Sequence, residues 1–282
     1  MAEPRFSLIV ATVGRTAELG SLLESVLAQD RKDVEAIVVD QNPDGRLVPV
    51  LAPFRDRLAL AHLRTPRPHA NAARNLGLAH ARGDLVAFPD DDCLHPPGVL
   101  DRVDRAFRDD PDLAILTGPA ASPSGGLGSG RWREEGGTID LRSVWTSVIE
   151  FNLWLRREVA LALGGFDERL GPGTQFGSAE GNDLVARAIR AGHRAVYDPG
   201  LRIIHPDKRR TEIAASRARI YGAGLGHVLR RHAPLSSILT FLLRPAGGMV
   251  RGLMRGDALE ARYFAATLRG RLEGLLAREL RR

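Results

Sequence analysis

Short apolar runs alternate with segments of helical spacing over most of the chain. The runs 6–12 and 34–40 are almost continuously apolar and predict buried strands. Between them, leucine and valine recur at helical spacing from Leu19 to Leu27, and Thr16 stands where an N-cap is expected. Because strands separated by single helices tend to pair in parallel, this pattern predicts an α/β fold with a mostly parallel sheet flanked by helices on both faces.

The same rhythm predicts further elements along the chain. Strands are predicted at 84–88, 113–117, 151–155, 194–197 and 201–204, and helices at 71–81, 99–107, 157–163 and 180–191. Beyond residue 211 the pattern becomes helical and basic. We therefore predict two domains, an α/β domain at 1–210 and a helical C-terminal appendage at 211–282.

Three consecutive aspartates, Asp90-Asp91-Asp92, follow the apolar run 85–88. In parallel sheets ligands bind outside the carboxyl ends of the strands, and Thr12 and Asp40 also stand at predicted strand ends. Clustered carboxylates there offer the oxygen ligands that a divalent cation prefers, and such a cation would neutralise a diphosphate. The alternative is a solvated turn before the next helix, whose N-terminus favours carboxylates.

Positive charge is concentrated towards the C-terminus. The whole chain has a net charge of +6, yet residues 206–282 carry 16 Lys and Arg against 6 Asp and Glu, while residues 1–205 carry 24 against 28. A basic tail suits anionic lipid or nucleic acid. It is also compatible with a solvated helical face.

The chain carries few signs of export. Its single cysteine, Cys93, excludes an internal disulfide and fits a reducing compartment. The opening apolar run is too short for the h-region of a signal peptide, and the most apolar later window, 238–243, is ended by Arg244-Pro245. These features predict a cytoplasmic protein, either free or peripheral at the inner face of the cell membrane.

Several short stretches occur in the order found in one enzyme family. They are Phe6-Ser7-Leu8-Ile9-Val10-Ala11-Thr12, Val38-Val39-Asp40, Ala73-Arg74-Asn75, Gly83-Asp84, Asp90-Asp91-Asp92, Gly164-Gly165-Phe166-Asp167, Glu180-Gly181-Asn182-Asp183-Leu184, Arg187 and His205. Together they resemble the family 2 glycosyltransferases of the GT-A fold over roughly residues 5–206. The resemblance implies a GT-A nucleotide-diphospho-sugar transferase that acts with inversion on an acceptor hydroxyl, in cell-surface polysaccharide or glycolipid synthesis.

The resemblance also implies where the nucleotide-sugar donor binds. Thr12 and Asp40 match positions that contact the base and ribose, and an aspartate can accept hydrogen bonds from either. Arg15 and Arg74 are candidates to balance the diphosphate charge. The alternatives are an Asx-turn between Asp40 and Asn42 and arginines that are only solvated.

A metal site is implied by the same comparison. Asp90 and Asp92 match the outer positions of the D-x-D signature, with Asp92 as the metal ligand and Asp90 and Asp91 nearer the donor. Mg²⁺ or Mn²⁺ fits oxygen ligation completed by phosphate and water. His205 matches a late histidine that approaches the metal or the phosphates. Its alternative is a packed histidine after a strand.

Inverting transfer needs one base that takes the acceptor proton. Glu180 is the first candidate and Asp183 the second, because residues three apart at a helix start face the same side. The sequence departs from the family here, since Gly181 stands where an acidic residue is usual. The alternative is that both carboxylates favour the helix N-terminus, with Asp183 paired to Arg187.

The last segment predicts an amphipathic basic helix. Its leucines are Leu268, Leu272, Leu275, Leu276 and Leu280, interleaved with Arg269, Arg271, Arg278, Arg281 and Arg282. Such a helix could lie on an anionic membrane surface and bring the enzyme to a lipid-linked acceptor, or pack on the catalytic domain or another subunit. Nucleic acid is not expected as a partner, because the tail lacks aromatic interleaving.

Two other functions remain as alternatives. A sugar nucleotidyltransferase would also pair a nucleotide-binding sheet with a metal, but the segment 11–15 lacks the glycine-rich signature that such enzymes usually carry after the first strand. The Gly181 departure also fits a catalytically inactive scaffold that binds nucleotide-sugar. The donor sugar and the acceptor, whether a sugar or a lipid-linked one, are not specified by the sequence.

Overall fold

The structure is a computed structural model that describes residues 3–65, 67–128, 130–207 and 211–277. Its contacts divide the chain into two compact units. The first holds the described residues up to Phe166 together with Leu184–Asp207, and the second holds Asp167–Asp183 with the described residues after 207. Residues 167–183 therefore group with the C-terminal helices, which the sequence pattern does not indicate.

The first unit contains all of the strands. They are β1 (Phe6–Thr12), β2 (Val34–Asp40), β3 (Ala59–Arg64), β4 (Leu85–Ala87), β5 (Leu113–Thr117), β6 (Ala120–Ala121), β7 (Gly137–Thr138), β8 (Leu153–Arg156), β9 (Arg194–Tyr197) and β10 (Ile203–Ile204). Its helices are α1 (Ala17–Leu27), α2 (Leu47–Leu51), α3 (Ala70–His80), α4 (Val99–Asp109) and α5 (Arg157–Ala162). Helix α6 (Glu180–Arg190) begins in the second unit and ends in the first.

Eight strands form one sheet in the order β3-β2-β1-β4-β8-β5-β9-β7. The pairs β3–β2, β2–β1, β1–β4 and β5–β9 are parallel, whereas β8 runs antiparallel between β4 and β5, and β7 runs antiparallel at the edge. Strands β6 and β10 form a separate parallel pair. The mostly parallel sheet flanked by helices that the sequence predicts is confirmed.

The central strands explain the continuous apolar runs. Every residue of β2 is buried, and only Ala11 of β1 is partly exposed. A strand covered by helices on both faces shows no alternation of polar and apolar positions, because both of its sides face a core. That burial is why the bounds of β1, β2 and β5 could be predicted without error.

The structure adds elements that the pattern does not reveal: β3, α2 and the two-residue strands β6 and β7. Strand β3 is only half-buried along most of its length, so its sequence shows neither a continuous apolar run nor a clear alternation. Helix α2 has only five residues, too few for helical spacing to be recognised. The predicted strand 151–155 is shifted to β8, because a turn of 3₁₀ helix occupies Glu150–Asn152.

Three long helices dominate the second unit: α7 (Glu212–His232), α8 (Leu235–Met254) and α9 (Ala258–Leu276). Helices α7 and α9 approach each other closely through glycines spaced four apart, Gly222 and Gly226 on α7 and Gly270 and Gly274 on α9. A Cβ on Gly274 would collide with the backbone carbonyl of Ala223. No helix among the described residues is long and apolar enough to cross a membrane.

We expect a glycine-to-alanine substitution to destabilise the protein at the α7–α9 contact and to stabilise it at a glycine whose Cβ position is open. Gly274→Ala should lower the free energy of unfolding by about 2 kcal/mol or more, because the added methyl group meets backbone that cannot rotate away. Gly247→Ala is the matched control: no atom lies within 4 Å of its Cβ position on α8, so it should raise stability by about 0.5–1 kcal/mol. Urea unfolding followed by circular dichroism measures both. Equal effects of the two substitutions would contradict the close approach.

Candidate functional site

The predicted strand ends lie side by side in the first unit. Thr12, the last residue of β1, is in register with Asp40, the last residue of β2. Strand β4 is the other parallel neighbour of β1 and leads into the three aspartates. Thr12 Oγ1 donates a hydrogen bond of 2.6 Å to Asp91 Oδ2. The end of β1 is therefore tied directly to the aspartate loop.

Asp91 is the anchored member of the three aspartates. Its side chain is buried, with Oδ2 accepting from Thr12 and Oδ1 from the Arg15 guanidinium. The same guanidinium reaches Asp92 Oδ2 at 2.9 Å. Arg15 thus joins two of the three carboxylates from a loop that follows Gly14, whose φ of +80° is a conformation that glycine adopts without strain.

Asp90, Asp92 and His205 form the candidate metal site. One ligand atom from each lies within 4.8 Å of the others. His205 Nε2 is 3.5 Å from Asp92 Oδ1 and 3.9 Å from Asp90 Oδ2. Within the described parts of the chain, Asp92 Oδ1 is buried and has no hydrogen-bond partner. A buried carboxylate oxygen without a donor is suited to a cation, so these residues fit a divalent metal.

The tautomer of His205 also suits a metal ligand. Its Nδ1 lies 2.8 Å from the carbonyl oxygen of Pro206, which can only accept, so Nδ1 carries a hydrogen and Nε2 is the nitrogen that faces the aspartates. The ring stacks on Phe151 with centroids 4.5 Å apart and planes inclined by 6°. The packed and the liganding roles foreseen for His205 are therefore compatible, because packing fixes the ring while one nitrogen stays available.

Arg74 is a buried partner of Asp90, and the alternative of a merely solvated arginine is wrong. It donates to Asp90 Oδ1 at 3.0 Å and to Asn71 Oδ1 at 3.0 Å, and its guanidinium lies 5.4 Å from the centre of the Phe166 ring. Burial raises the pKa of Asp90, and the positive charge of Arg74 opposes that rise. Arg74 therefore counters part of the effect of burial on Asp90.

Asp40 is fully buried and held by neighbours on both oxygens. Oδ1 accepts from the backbone and the side-chain nitrogens of Asn42, at 2.9 and 2.8 Å, and Oδ2 lies 3.0 Å from His62 Nε2. Burial alone would raise the pKa of Asp40, but these hydrogen bonds outweigh it and hold the pKa below its ordinary value. The Asx-turn is thus present, and the carboxylate is charged beside the candidate nucleotide site.

His62 was not indicated by the sequence. It lies on β3, opposite Val38 of β2, a pairing that becomes apparent only when the third strand joins the sheet. A lone histidine in a half-buried strand carries no signal of its own.

Two side chains fix the turn that contains Gly164 and Gly165, both of which have positive φ. Asn75 donates to the carbonyl of Phe166 at 2.9 Å and accepts from its backbone nitrogen at 2.8 Å. Arg187 donates to the carbonyls of Leu163 and Gly165, both at 2.7 Å. Asn75 and Arg187, which both belong to the stretches that resemble the family, thus have a structural role. Each satisfies backbone groups that the turn leaves without partners.

The two base candidates belong to the second unit, apart from the other predicted site residues. Asp183 is fully buried, with Oδ1 2.9 Å from His232 Nε2 and 3.5 Å from the Arg231 guanidinium. Arg231 also pairs with Asp167 at 3.0 Å. Glu180 is buried at the start of α6. Sequence reasoning missed His232 and Arg231, because they stand at the end of α7, 49 and 48 residues beyond Asp183.

Comparison with known proteins gives a family and a fold. The family model described as "Glycosyl transferase family 2" matches residues 7–161. A pre-mycofactocin glycosyltransferase of Mycobacterium tuberculosis is 28% identical over 222 residues, which cover 73% of this chain and 44% of that protein. A GalNAc(5)-diNAcBac-PP-undecaprenol beta-1,3-glucosyltransferase of Campylobacter jejuni is 34% identical over 92 residues, which cover 32% of this chain and 30% of that protein.

Solved structures of low sequence identity share the fold. A mannosyltransferase of Pyrobaculum calidifontis, in complex with GDP-Man and Mn²⁺, superposes with a TM-score of 0.69 at 19% identity, over 98% of this chain and 88% of that one. S. aureus TarS 1–349 with UDP-GlcNAc gives a TM-score of 0.59 at 17% identity, over 94% and 90% of the two chains. These likenesses establish the GT-A fold predicted from the motifs.

The sequence matches to individual relatives cover only part of each protein. An uncharacterised glycosyltransferase of Haemophilus influenzae is 30% identical over 114 residues, and the chain spans only 38% of that protein's length. The family model, by contrast, covers more than half of this chain and includes β1, β2, β4 and the aspartate loop. The chain therefore belongs to glycosyl transferase family 2.

Proposed function

We propose that this chain transfers a sugar from a nucleotide-diphosphate donor to an acceptor hydroxyl with inversion of configuration. The observation that carries the proposal is the grouping of Asp90, Asp92 and His205 at the rim where β1 and β2 end, on the same rim as the charged Asp40. A metal-ready carboxylate pair beside a nucleotide-binding strand end is what a donor with two phosphates requires.

Each residue of the first unit has a proposed task. Asp40 accepts hydrogen bonds from the base or the ribose, in the position that His62 and Asn42 impose. Arg15, half-exposed at the mouth of the aspartate loop, contributes positive charge to the diphosphate. Thr12 and Asp91 hold this loop against the end of β1. Arg74 keeps Asp90 oriented, and Asp90 serves the ribose side of the donor.

Asp92 and His205 would hold a divalent cation, Mg²⁺ or Mn²⁺. When bound, that ion supplies charge stabilisation for the departing nucleoside diphosphate. Asp92 keeps one oxygen on Arg15 and leaves Oδ1 for ligation, while His205 offers Nε2. The Mn²⁺ in the related mannosyltransferase structure supports the same choice of metals.

Glu180 is the proposed base. It stands at the start of α6 and would accept the proton of the acceptor hydroxyl. Asp183 is the second candidate, and His232 and Arg231 contact Oδ1 of its carboxylate. We assign Asp183 to positioning, since it fixes the first turn of α6 against the end of α7.

The substrates are proposed by class. The related structures hold GDP-Man and UDP-GlcNAc, so the donor is a nucleoside-diphospho-sugar, and the undecaprenol-linked substrate in the name of the Campylobacter relative supports a sugar or lipid-linked acceptor. We place the activity in cell-surface polysaccharide or glycolipid synthesis on the cytoplasmic side, with residues 1–210 as the catalytic domain and 211–282 as its appendage.

One second function has an observation in its favour. Gly181 stands where the family usually has an acidic residue, which fits a scaffold that binds nucleotide-sugar without turning it over. A transferase hydrolyses its donor slowly when metal is present and acceptor is absent, whereas a scaffold only binds it. Donor hydrolysis measured with and without Mn²⁺ therefore separates the two functions.

Asp92→Asn tests the metal-assisted function. The change keeps the size of the side chain and removes its charge, so we expect turnover to fall about 100-fold or more. The thermal shift that nucleoside diphosphates produce with Mn²⁺ should also disappear. Asp112→Asn, an exposed change in the same unit, is the control and should leave both readouts unchanged. Wild-type turnover and metal dependence in Asp92→Asn would refute the metal assignment.

Glu180→Gln tests the base. We expect normal binding of donor and metal with a loss of about 10² to 10⁴ in transfer rate, because the base acts only once the acceptor is in place. Asp183→Asn should slow transfer less and lower stability by about 1–3 kcal/mol, since it weakens the buried contacts to His232 and Arg231. Kinetics and melting of each variant are the measurements. A larger kinetic loss in Asp183→Asn would make Asp183 the base.

A further inference from the structure

Helix α8 exposes a continuous apolar face. Its inner side is buried within the second unit through Phe241, Pro245, Gly248 and Gly252. On the opposite side, six large apolar side chains are between 51% and 83% exposed: Leu235, Leu239, Leu243, Val250, Leu253 and Met254. At 100° per residue these six positions fall within about one third of the helix circumference. They form one stripe, which we call the outer face of α8.

The stripe is unlike the exposed apolar residues of the first unit. In the first unit such residues occur singly, as Val13, Val48, Leu127 and Leu161 do. Single exposed apolar side chains are ordinary on a protein surface, whereas a contiguous stripe along a helix of 20 residues marks a surface that binds another apolar phase. The outer face therefore needs an occupant.

The charges beside the stripe identify the occupant. Helix α8 contains no Asp or Glu, while Arg244 and Arg251 lie on one flank of the outer face and Arg255 follows at its C-cap. All three arginines are exposed. Arg244 stacks on Phe241 and Arg251 bonds to Glu260 at 2.9 Å, so both are held close to the helix. An apolar stripe with arginines along one flank is complementary to anionic lipid headgroups above acyl chains.

We propose that α8 docks on an anionic membrane, lying parallel to the surface with its outer face in the acyl chains and its arginines among the headgroups. The inference rests on the proposed function for its purpose, which is to bring the transferase to a lipid-linked acceptor. The docking itself follows from the face and its charges, and is measured without turnover.

A second copy of the chain is a poorer occupant of the same face. Arg244 stands near the middle of α8, so full antiparallel pairing about a two-fold axis would set Arg244 beside its own copy. Like charges at that distance repel, whereas anionic headgroups would neutralise them. The charge pattern thus favours lipid over self-association.

The structure moves the membrane-facing surface away from the last helix, where the leucine pattern predicts it. Leu268 and Leu275 of α9 are only partly exposed, and α9 meets α7 through glycines. Leu272 and Leu276 are exposed, but they do not form a long stripe, and Leu280 lies outside the described residues. Helix α8, whose stripe the leucine spacing of the tail did not reveal, is the better surface.

Flotation of the full chain with lipid vesicles tests the docking. We expect binding to vesicles that contain about one third phosphatidylglycerol, with weaker binding to pure phosphatidylcholine. Leu239→Gln/Leu243→Gln should reduce binding to the anionic vesicles about tenfold or more, because two apolar side chains that would enter the acyl chains are replaced by polar ones. Val48→Gln/Leu161→Gln, which changes exposed apolar residues of the first unit, is the matched control and should bind as wild type does.

A second variant tests the contribution of the arginines separately from that of the apolar stripe. Arg244→Gln/Arg255→Gln should lower binding to anionic vesicles severalfold and leave the weak binding to neutral vesicles unchanged. Circular dichroism and melting of each variant show that it is folded. Donor hydrolysis in the absence of vesicles should be equal in wild type and in Leu239→Gln/Leu243→Gln, so a failure of docking is distinguishable from a failure of the proposed function.

Three results would overturn the proposal. The first is that the leucine variant of α8 binds anionic vesicles as strongly as the wild type does, and the second is that the wild type does not bind vesicles. The third is a wild-type dimer in sedimentation that the leucine variant converts to a monomer without any vesicle binding, which would make the outer face an interface between copies.

Discussion

The hydrogen bond from Thr12 to Asp91 is the interaction on which the candidate site depends. It joins the last residue of β1 to the middle of the aspartate loop, and both groups are buried. A hydrogen bond to a charged acceptor in such a place contributes about 1.5–3 kcal/mol, and leaving the carboxylate without it would cost a comparable amount. With Asp91 held, the flanking Asp90 and Asp92 are presented together towards His205. The middle aspartate thus serves the outer two by being fixed.

Three adjacent carboxylates create a problem of repulsion that the surrounding residues solve. Arg15 bridges Asp91 and Asp92, and Arg74 pairs with Asp90. Arg15 occupies one oxygen on each of Asp91 and Asp92, and Arg74 occupies one on Asp90, yet Asp92 Oδ1 stays without a hydrogen bond among the described residues. Local positive charge therefore offsets part of the repulsion, while Asp92 Oδ1 keeps no donor. That arrangement is compatible with the divalent cation proposed for this site.

Features that leave a local pattern in the sequence could be predicted. Contacts between residues that are far apart in the sequence could not. Burial on both faces makes β1 and β2 continuously apolar, so their bounds and the carboxylates at their ends could be predicted. The grouping of Asp90, Asp92 and His205 was foreseen only through the family resemblance, because 113 residues separate Asp92 from His205. The partners of Asp40 and Asp183, His62 and His232, come from other elements and left no local pattern.

The second unit shows how Gly181, the departure from the family pattern, can be compatible with the proposed base catalysis. Gly181 removes an acidic residue from the start of α6, while Asp183 is buried against His232 and Arg231 at the end of α7. A catalytic base must take up and release a proton. The imidazole of His232 and the guanidinium of Arg231 contact the same oxygen of Asp183, so this carboxylate is better suited to hold the helix in place. Because the fixed Asp183 orients the first turn of α6, Glu180 gains a rigid support three residues away. The contacts of Asp183 thus hold in place the helix start on which Glu180, the proposed base, lies.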